Sequence, residues 1–308
     1  MASAPSVPFL GPDPHPRKPQ RVAVPPGACD AHAHVVGPNS KYRLAGGREG
    51  VTPPEALLKD YMHMLSVLGI TRAVLVQPGV YGTDNSALLD SIASAPDRLR
   101  GIAVVDPAVS DAELERLHNA GVRGVRFNTR GSSALSAGKR SPVSVETILR
   151  IGERLRALHL HVQLLIVIDD FSDVDRRLAD YPTDIVIDHM AYFDPVRGLD
   201  SPGFRTLLRL VQTGRCWVKL SAPYRYSKQD VPYADIVPFA RKLVEAAPDR
   251  MLWATDWPHS AVFKPDSADG RRMPNDGELL DILVDWVPDE AVRRRILVEN
   301  PAKLYGFV

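Results

Sequence analysis

Eight short apolar runs alternate with stretches of helical spacing along almost the whole of this chain. The runs are Cys29–His34, Arg72–Gln77, Gly101–Asp106, Gly124–Asn128, His161–Ile166, Ile185–His189, Cys216–Ser221 and Met251–Asp256. Between them, Leu57, Leu58, Tyr61, Met62, Leu65 and Leu68 recur on one helical face, and Ser110-Asp111-Ala112-Glu113 forms a capping box ahead of Leu114 and Leu117. Further helices are expected over Ser144–Leu158, Pro202–Gln212, Tyr233–Ala246, Glu278–Trp286 and Asp289–Val298. Strands that alternate with helices pair in parallel, and eight of them can close into a barrel. The expected fold is therefore α/β, a single-domain (β/α)8 TIM barrel over residues 28–308, with no internal linker dividing it.

Residues 1–27 read differently. Pro8, Pro12, Pro14, Pro16, Pro19 and Pro25 stand among few large apolar residues, the composition of an extended N-terminal arm that could wrap the barrel or a neighbouring subunit of a homo-oligomer.

Polar residues of catalytic type gather at the strand ends. His32 and His34 lie two apart on the first strand and so project to the same side. His189 follows the apolar run Ile185-Val186-Ile187, and Asp256 follows Met251-Leu252-Trp253. Four such residues at the ends of apolar strands are hard to explain by packing, and a (β/α)8 barrel carries its active site at that face. The layout points to hydrolytic chemistry. Long segments rich in glycine, serine and arginine also follow strands one, four and eight, at Gly37–Pro54, Thr129–Pro142 and Phe263–Gly277, and suit lids over a polar substrate.

Composition narrows the partners. The 308 residues carry 38 basic and 37 acidic side chains, a formal net charge of +1, with no long basic stripe of the kind nucleic acid requires. No apolar stretch approaches membrane-spanning length and the first residues lack the order of a secretion signal, so a cytoplasmic location is expected. Cys29 and Cys216 fall within strand runs, where buried free thiols are expected rather than a disulfide.

Six motifs, in this order and spacing, resemble the amidohydrolase superfamily, in the branch that includes 2-pyrone-4,6-dicarboxylate lactonase. They are Cys-Asp-Ala-His-Ala-His at 29–34, Tyr-Gly-Thr-Asp-Asn at 81–85, Gly-Val-Arg-Phe-Asn at 124–128, Asp-His at 188–189, Thr-Asp-Trp-Pro-His at 255–259 and Asn-Pro-Ala-Lys-Leu-Tyr-Gly-Phe at 300–307. Metal-dependent members of that superfamily add a lysine or glutamate on the fourth strand and a histidine on the fifth or sixth. Here the fourth strand offers Arg126 and the fifth Gln163, so the binuclear set is incomplete. His32, His34, His189 and Asp256 remain a possible ligand set for one zinc ion.

The resemblance implies a metal-independent lactonase with no cofactor and a small anionic lactone as substrate. Asp256 would be the general base, while His32, His34 and His189 polarise the lactone carbonyl. Arg126 and Arg225 align with arginines that hold a substrate carboxylate, a role that suits the planar guanidinium fork. Arg130 is an approximate match for a further arginine, with Lys139 or Arg140 as alternatives, and Tyr42, Tyr81, Thr83, Asn85 and Gln163 are weaker substrate-binding candidates. Strand five shows Leu164-Leu165 where the family has a tyrosine, which leaves a sugar-acid or muconolactone-type lactone open. The alternative from another reaction class is a mononuclear zinc decarboxylase or hydratase acting on an aromatic acid. His259 is placed at the rim, and His15, His63, His118, His159 and His161 are given no chemistry.

Overall fold

The computed structural model describes residues 11–46, 53–129, 144–171, 173–260 and 274–308. Eight parallel strands form one sheet in chain order: β1 (Cys29–Ala33), β2 (Arg72–Val76), β3 (Leu99–Ala103), β4 (Val122–Asn128), β5 (His161–Leu165), β6 (Ile185–Ile187), β7 (Cys216–Ser221) and β8 (Met251–Ala254). Beyond β8 the ring is drawn together by backbone hydrogen bonds to β1, from the Asp256 amide to the His32 carbonyl at 2.9 Å and from the His34 amide to the Trp257 carbonyl at 2.8 Å. The molecule is a (β/α)8 barrel.

The helices that cover it are α1 (Leu58–Leu68), α2 (Ser86–Ser94), α3 (Asp111–Asn119), α4 (Val145–Ala157), α5 (Val174–Arg177), α6 (Pro202–Gln212), α7 (Val237–Ala246), α8 (Asp276–Asp281), α9 (Leu283–Trp286), α10 (Glu290–Arg294) and α11 (Asn300–Tyr305). Ser110 caps α3 by accepting from the Glu113 amide, Ser144 caps α4 through Thr147, and Ser201 caps α6 ahead of Pro202. The helices expected from the sequence leave out α2, α11 and the single turn of α5, join α8 and α9 into one, and start α7 four residues early, where Tyr233 takes positive φ and stops a helix from starting.

Two apolar layers follow from strand alternation. The larger lies between strands and helices; the smaller fills the barrel with Cys29, Val74, Ile102, Val186, Trp217 and Leu252, closed from below by Tyr305 and Phe307. Both cysteines are free and buried. Residues 13–22 of the arm lie along α8. Asp281 accepts from the amides of Gln20, Arg21 and Val22, and the Asn275 carboxamide accepts from the Arg17 amide. No helix among the described residues is long and apolar enough to cross a membrane.

Candidate active site

Strict alternation along β1 would put His32 on the same side as Asp30, which turns toward α1 and accepts from the Tyr61 hydroxyl at 2.9 Å. A register irregularity between Asp30 and Ala33 shifts the parity, so that His32 and His34 both turn inward. Asp30 also accepts from the Thr255 hydroxyl at 2.5 Å and the Thr255 amide at 3.0 Å, tying β1 to the end of β8. Burial pushes its carboxyl up to about 6 against the pull of these donors.

Three imidazoles converge on Asp256. The Nε2 atoms of His32, His34 and His189 lie 3.7, 3.8 and 3.6 Å from Asp256 Oδ1. The other oxygen, Oδ2, accepts from the Tyr224 hydroxyl at 2.5 Å and from Arg225 Nε at 2.7 Å. Oδ1 is buried and accepts no hydrogen bond from the described residues. His189 and Asp256 both have left-handed backbones, with φ of 51° and 62°, and His189 opens a run of four positive-φ residues ending at Tyr192. Such a conformation costs a non-glycine residue of the order of 1 kcal/mol or more, and here it turns both side chains into the strand-end cavity.

Electrostatics separates the two kinds of group. Burial drives His34 down to about 4 and His189 to about 3, and burial together with the Lys219 charge holds His32 well below the ordinary histidine range. Burial would raise Asp256, but Arg225 and the three imidazoles outweigh it and hold the carboxyl well below the usual carboxylate range. The result is an ionised carboxylate facing three neutral imidazoles at neutral pH.

A second network lies beneath. Asp188 Oδ2 accepts from Arg126 Nε at 2.8 Å and Gln163 Nε2 at 3.2 Å, while Oδ1 lies 3.1 Å from His32 Nδ1 and 3.3 Å from Lys219 Nζ. Lys219 also donates to Gln163 Oε1 at 2.7 Å. Burial brings its ammonium down to about 8, the Asp188 charge opposing the shift. Asp188 is held well below its usual range, because Lys219 and Arg126 outweigh its burial. Sequence reasoning passed over Lys219 and gave Asp188 no role. The available signal was a lysine inside the run Trp217-Val218-Lys219-Leu220, since a lysine within an apolar strand needs partners.

The other candidates divide by position. Arg126, Arg225 and Gln163 join the cluster, each engaged with one of its carboxylates or with Lys219. Tyr42 donates to Asp90, the Tyr81 hydroxyl accepts from the Gly37 amide, and Asn85 pairs with both backbone groups of Val104, so these three serve the loops above strands one to three. Thr83 contributes its carbonyl to Asn85. Arg130, Lys139 and Arg140 lie outside the described residues, as do 47–52 and most of the other two expected lids. His259 is not at the rim: it is fully buried, 3.1 Å from the Tyr224 hydroxyl and 3.0 Å from Asp276, because the chain turns inward after β8.

The donor set also fits one metal ion. His32, His189 and Asp256 each place a ligand atom within 4.8 Å of the other two, and His34 Nε2 is 3.1 Å from His32 Nε2. Imidazole nitrogens and one carboxylate oxygen are the ligand types zinc takes. β4 offers Arg126 and neither the lysine nor the glutamate expected there for a second ion.

A family model described as Amidohydrolase matches residues 29–307, and the chain belongs to the amidohydrolase family. Among its relatives is 4-sulfomuconolactone hydrolase of Hydrogenophaga intermedia, 37% identical over 300 residues that cover 97% of this chain and 95% of the other. The 2-pyrone-4,6-dicarboxylate hydrolase of Comamonas testosteroni is also 37% identical over 300 residues, 94% of this chain and 93% of that one. A crystal structure from Agrobacterium tumefaciens superposes with a TM-score of 0.80 at 29% identity, covering 93% and 98% of the two chains. Both named relatives are lactone hydrolases, in agreement with the resemblance carried by the strand-end motifs.

Proposed function

We propose that this protein opens the ring of a lactone carrying an acidic group, by adding water to the ring carbonyl without the help of a metal. The observation that carries the reading is the buried Oδ1 of Asp256, without a hydrogen-bond partner among the described residues and set among three imidazoles. Asp256 takes a proton from water as the water oxygen bonds to the carbonyl carbon. The carbonyl electron pair moves to its oxygen, and hydrogen bonds from the histidine cluster stabilise that charge. When the pair returns, the ring C–O bond breaks and the proton on Asp256 passes to the departing oxygen.

The three histidines share this work unequally. His34 Nδ1 lies 2.8 Å from the Val76 carbonyl, which only accepts, so a neutral His34 presents a lone pair at Nε2. We therefore assign donation to His32 and, with the Ser221 hydroxyl donating to His189 Nδ1 across 2.8 Å, to His189. Once the lactone is bound, the His32 Nε2 hydrogen turns from His34 to the lactone carbonyl, leaving His34 Nε2 and Asp256 Oδ1 to receive the two hydrogens of the attacking water.

Sulfomuconolactone and pyrone dicarboxylate, named for the relatives, are both acidic lactones, and Arg126 and Arg225 border the cluster with side chains 12% and 17% exposed. Their guanidinium groups can therefore meet a substrate carboxylate while holding Asp188 and Asp256.

The test is hydrolysis of 2-pyrone-4,6-dicarboxylate and of carboxylated and sulfonated muconolactones by purified protein, followed by ultraviolet absorbance before and after exhaustive chelation. Turnover of an acidic lactone, unchanged by chelation, is expected. Failure to hydrolyse any of them, or any sugar-acid lactone, would overturn the reading. The convergent ligand atoms of His32, His189 and Asp256 favour a zinc-dependent enzyme as the second reading. A zinc ion there would supply a Lewis acid to the same carbonyl or to an aromatic carboxylate, and activity lost on chelation and restored by zinc would select it.

A further inference from the structure

His32 meets a hydrogen-bonding demand at each end of its ring, and both demands select the same tautomer. At Nε2 it lies 3.1 Å from His34 Nε2. The His34 nitrogen is an acceptor, because His34 Nδ1 donates to the Val76 carbonyl at 2.8 Å. His32 Nε2 must therefore carry the hydrogen.

At the other end, Lys219 Nζ lies 3.0 Å from His32 Nδ1. An ammonium has three hydrogens and no lone pair. Three acceptors surround Nζ: Gln163 Oε1 at 2.7 Å, His32 Nδ1 at 3.0 Å and Asp188 Oδ1 at 3.3 Å. Gln163 is oriented to match, its Nε2 donating to Asp188 Oδ2 at 3.2 Å. Asp188 Oδ1 lies 3.1 Å from His32 Nδ1, which sets two acceptors side by side in this tautomer; the Lys219 ammonium offsets that repulsion by donating to both, and Asp188, with Arg126 and Gln163 as further donors, does not depend on a hydrogen from His32. A hydrogen on Nδ1 would confront the ammonium N–H across 3.0 Å.

We propose that Lys219 is a positioning residue that holds His32 with its proton on Nε2, and thereby makes this histidine cluster a hydrogen-bond donor site and disfavours metal ligation. An imidazole nitrogen that carries hydrogen has no lone pair for a metal. The opposite tautomer, with Nδ1–H donating to Asp188, is the carboxylate–histidine arrangement that supports metal ligation through Nε2. Removing the ammonium should hand His32 to Asp188 and free Nε2 as a ligand. The catalytic consequence rests on the lactonase reading given above; the tautomer and the metal preference do not.

The experiment compares wild type with Lys219→Met in two measurements that involve no lactone. In the first, nitrogen-15 NMR of histidine-labelled protein reads the tautomer of His32, its signals assigned by their loss in His32→Gln. The wild type is expected to show Nε2–H, and Lys219→Met to show Nδ1–H. In the second, both proteins are dialysed against low-micromolar zinc and the bound metal is measured. The variant is expected to retain about one zinc per chain and the wild type none. A wild-type His32 protonated on Nδ1, or equal zinc uptake by the two proteins, would overturn the proposal. If Lys219→Met does not fold, the wild-type spectrum and wild-type zinc uptake decide it alone. Absence of lactone hydrolysis alongside both expected results would count against the substrate reading only.

Discussion

Arg225 grips Asp256 through a single oxygen: Nε and a terminal nitrogen lie 2.7 and 2.6 Å from Oδ2, and Oδ1 is left to the histidines. One bond set positions the carboxylate and keeps it ionised, and the other oxygen faces the three imidazoles. Asp256→Asn preserves an acceptor for Arg225 and Tyr224 but cannot take a proton. Its kcat on an acidic lactone is expected to fall by about 100-fold or more, with the circular dichroism spectrum unchanged. Near-wild-type turnover would remove Asp256 from the role of base.

Arg225→Met takes away the charge that keeps Asp256 ionised, so it should lower kcat as well as weaken binding. Arg126→Met should act mainly on KM, raising it about tenfold for acidic lactones and much less for neutral ones, the scale of one lost charged hydrogen bond. Steady-state kinetics on a matched acidic and neutral pair makes the comparison. Equal effects on both substrates would refute the carboxylate contact.

His161 sits inside the barrel with its ring 5.5 Å from that of Tyr305, and burial drives it down to about 3. An unfolded histidine titrates near its ordinary 6.5, so between 6.5 and 3 the unfolded chain binds the additional proton. The contribution of this residue to stability is therefore full above pH 6.5 and shrinks as pH falls, by about 2 kcal/mol between pH 7 and pH 5. Urea unfolding at the two pH values should show that loss in wild type and a smaller one, by about this amount, in His161→Gln. Identical pH slopes would mean that His161 is not neutral in the fold.

The arm is held to α8 through backbone atoms. A methyl group at Gly277 would come within 2.2 Å of the Arg17 carbonyl, and Asp281 receives three consecutive arm amides. Gly277→Ala and Asp281→Ala should each free the arm at a cost of about 1 to 3 kcal/mol, seen as faster tryptic cleavage at Arg17 and Arg21. Unchanged cleavage would show that the arm is held elsewhere.

The barrel was legible because its strands are buried on both faces and so read as apolar runs bounded by helices. All eight appear, though β6 stops at Ile187, where the left-handed run beginning at His189 takes over. The histidine pair was legible from spacing, but the parity shift after Asp30 was not, because a register irregularity leaves no mark in residue type. His259 looked like a rim residue for a related reason. Its burial depends on the turn after β8 and on contacts with Tyr224 and Asp276, on separate segments of the chain.

What the sequence by itself determined is the order of elements, the apolar face of each strand and the residue types delivered to the strand ends. These are local properties, set by alternation, helical spacing and caps. Only the tertiary structure decided which of those groups touch. Lys219 reaches His32 across 187 positions of sequence and Asp188 across 31, and Arg126 is spoken for by Asp188 before any ligand arrives. Closing the barrel brings charges from β1, β4, β6, β7 and β8 into one poorly solvated space, where partners a few ångströms apart decide which groups are ionised and which nitrogen carries the proton.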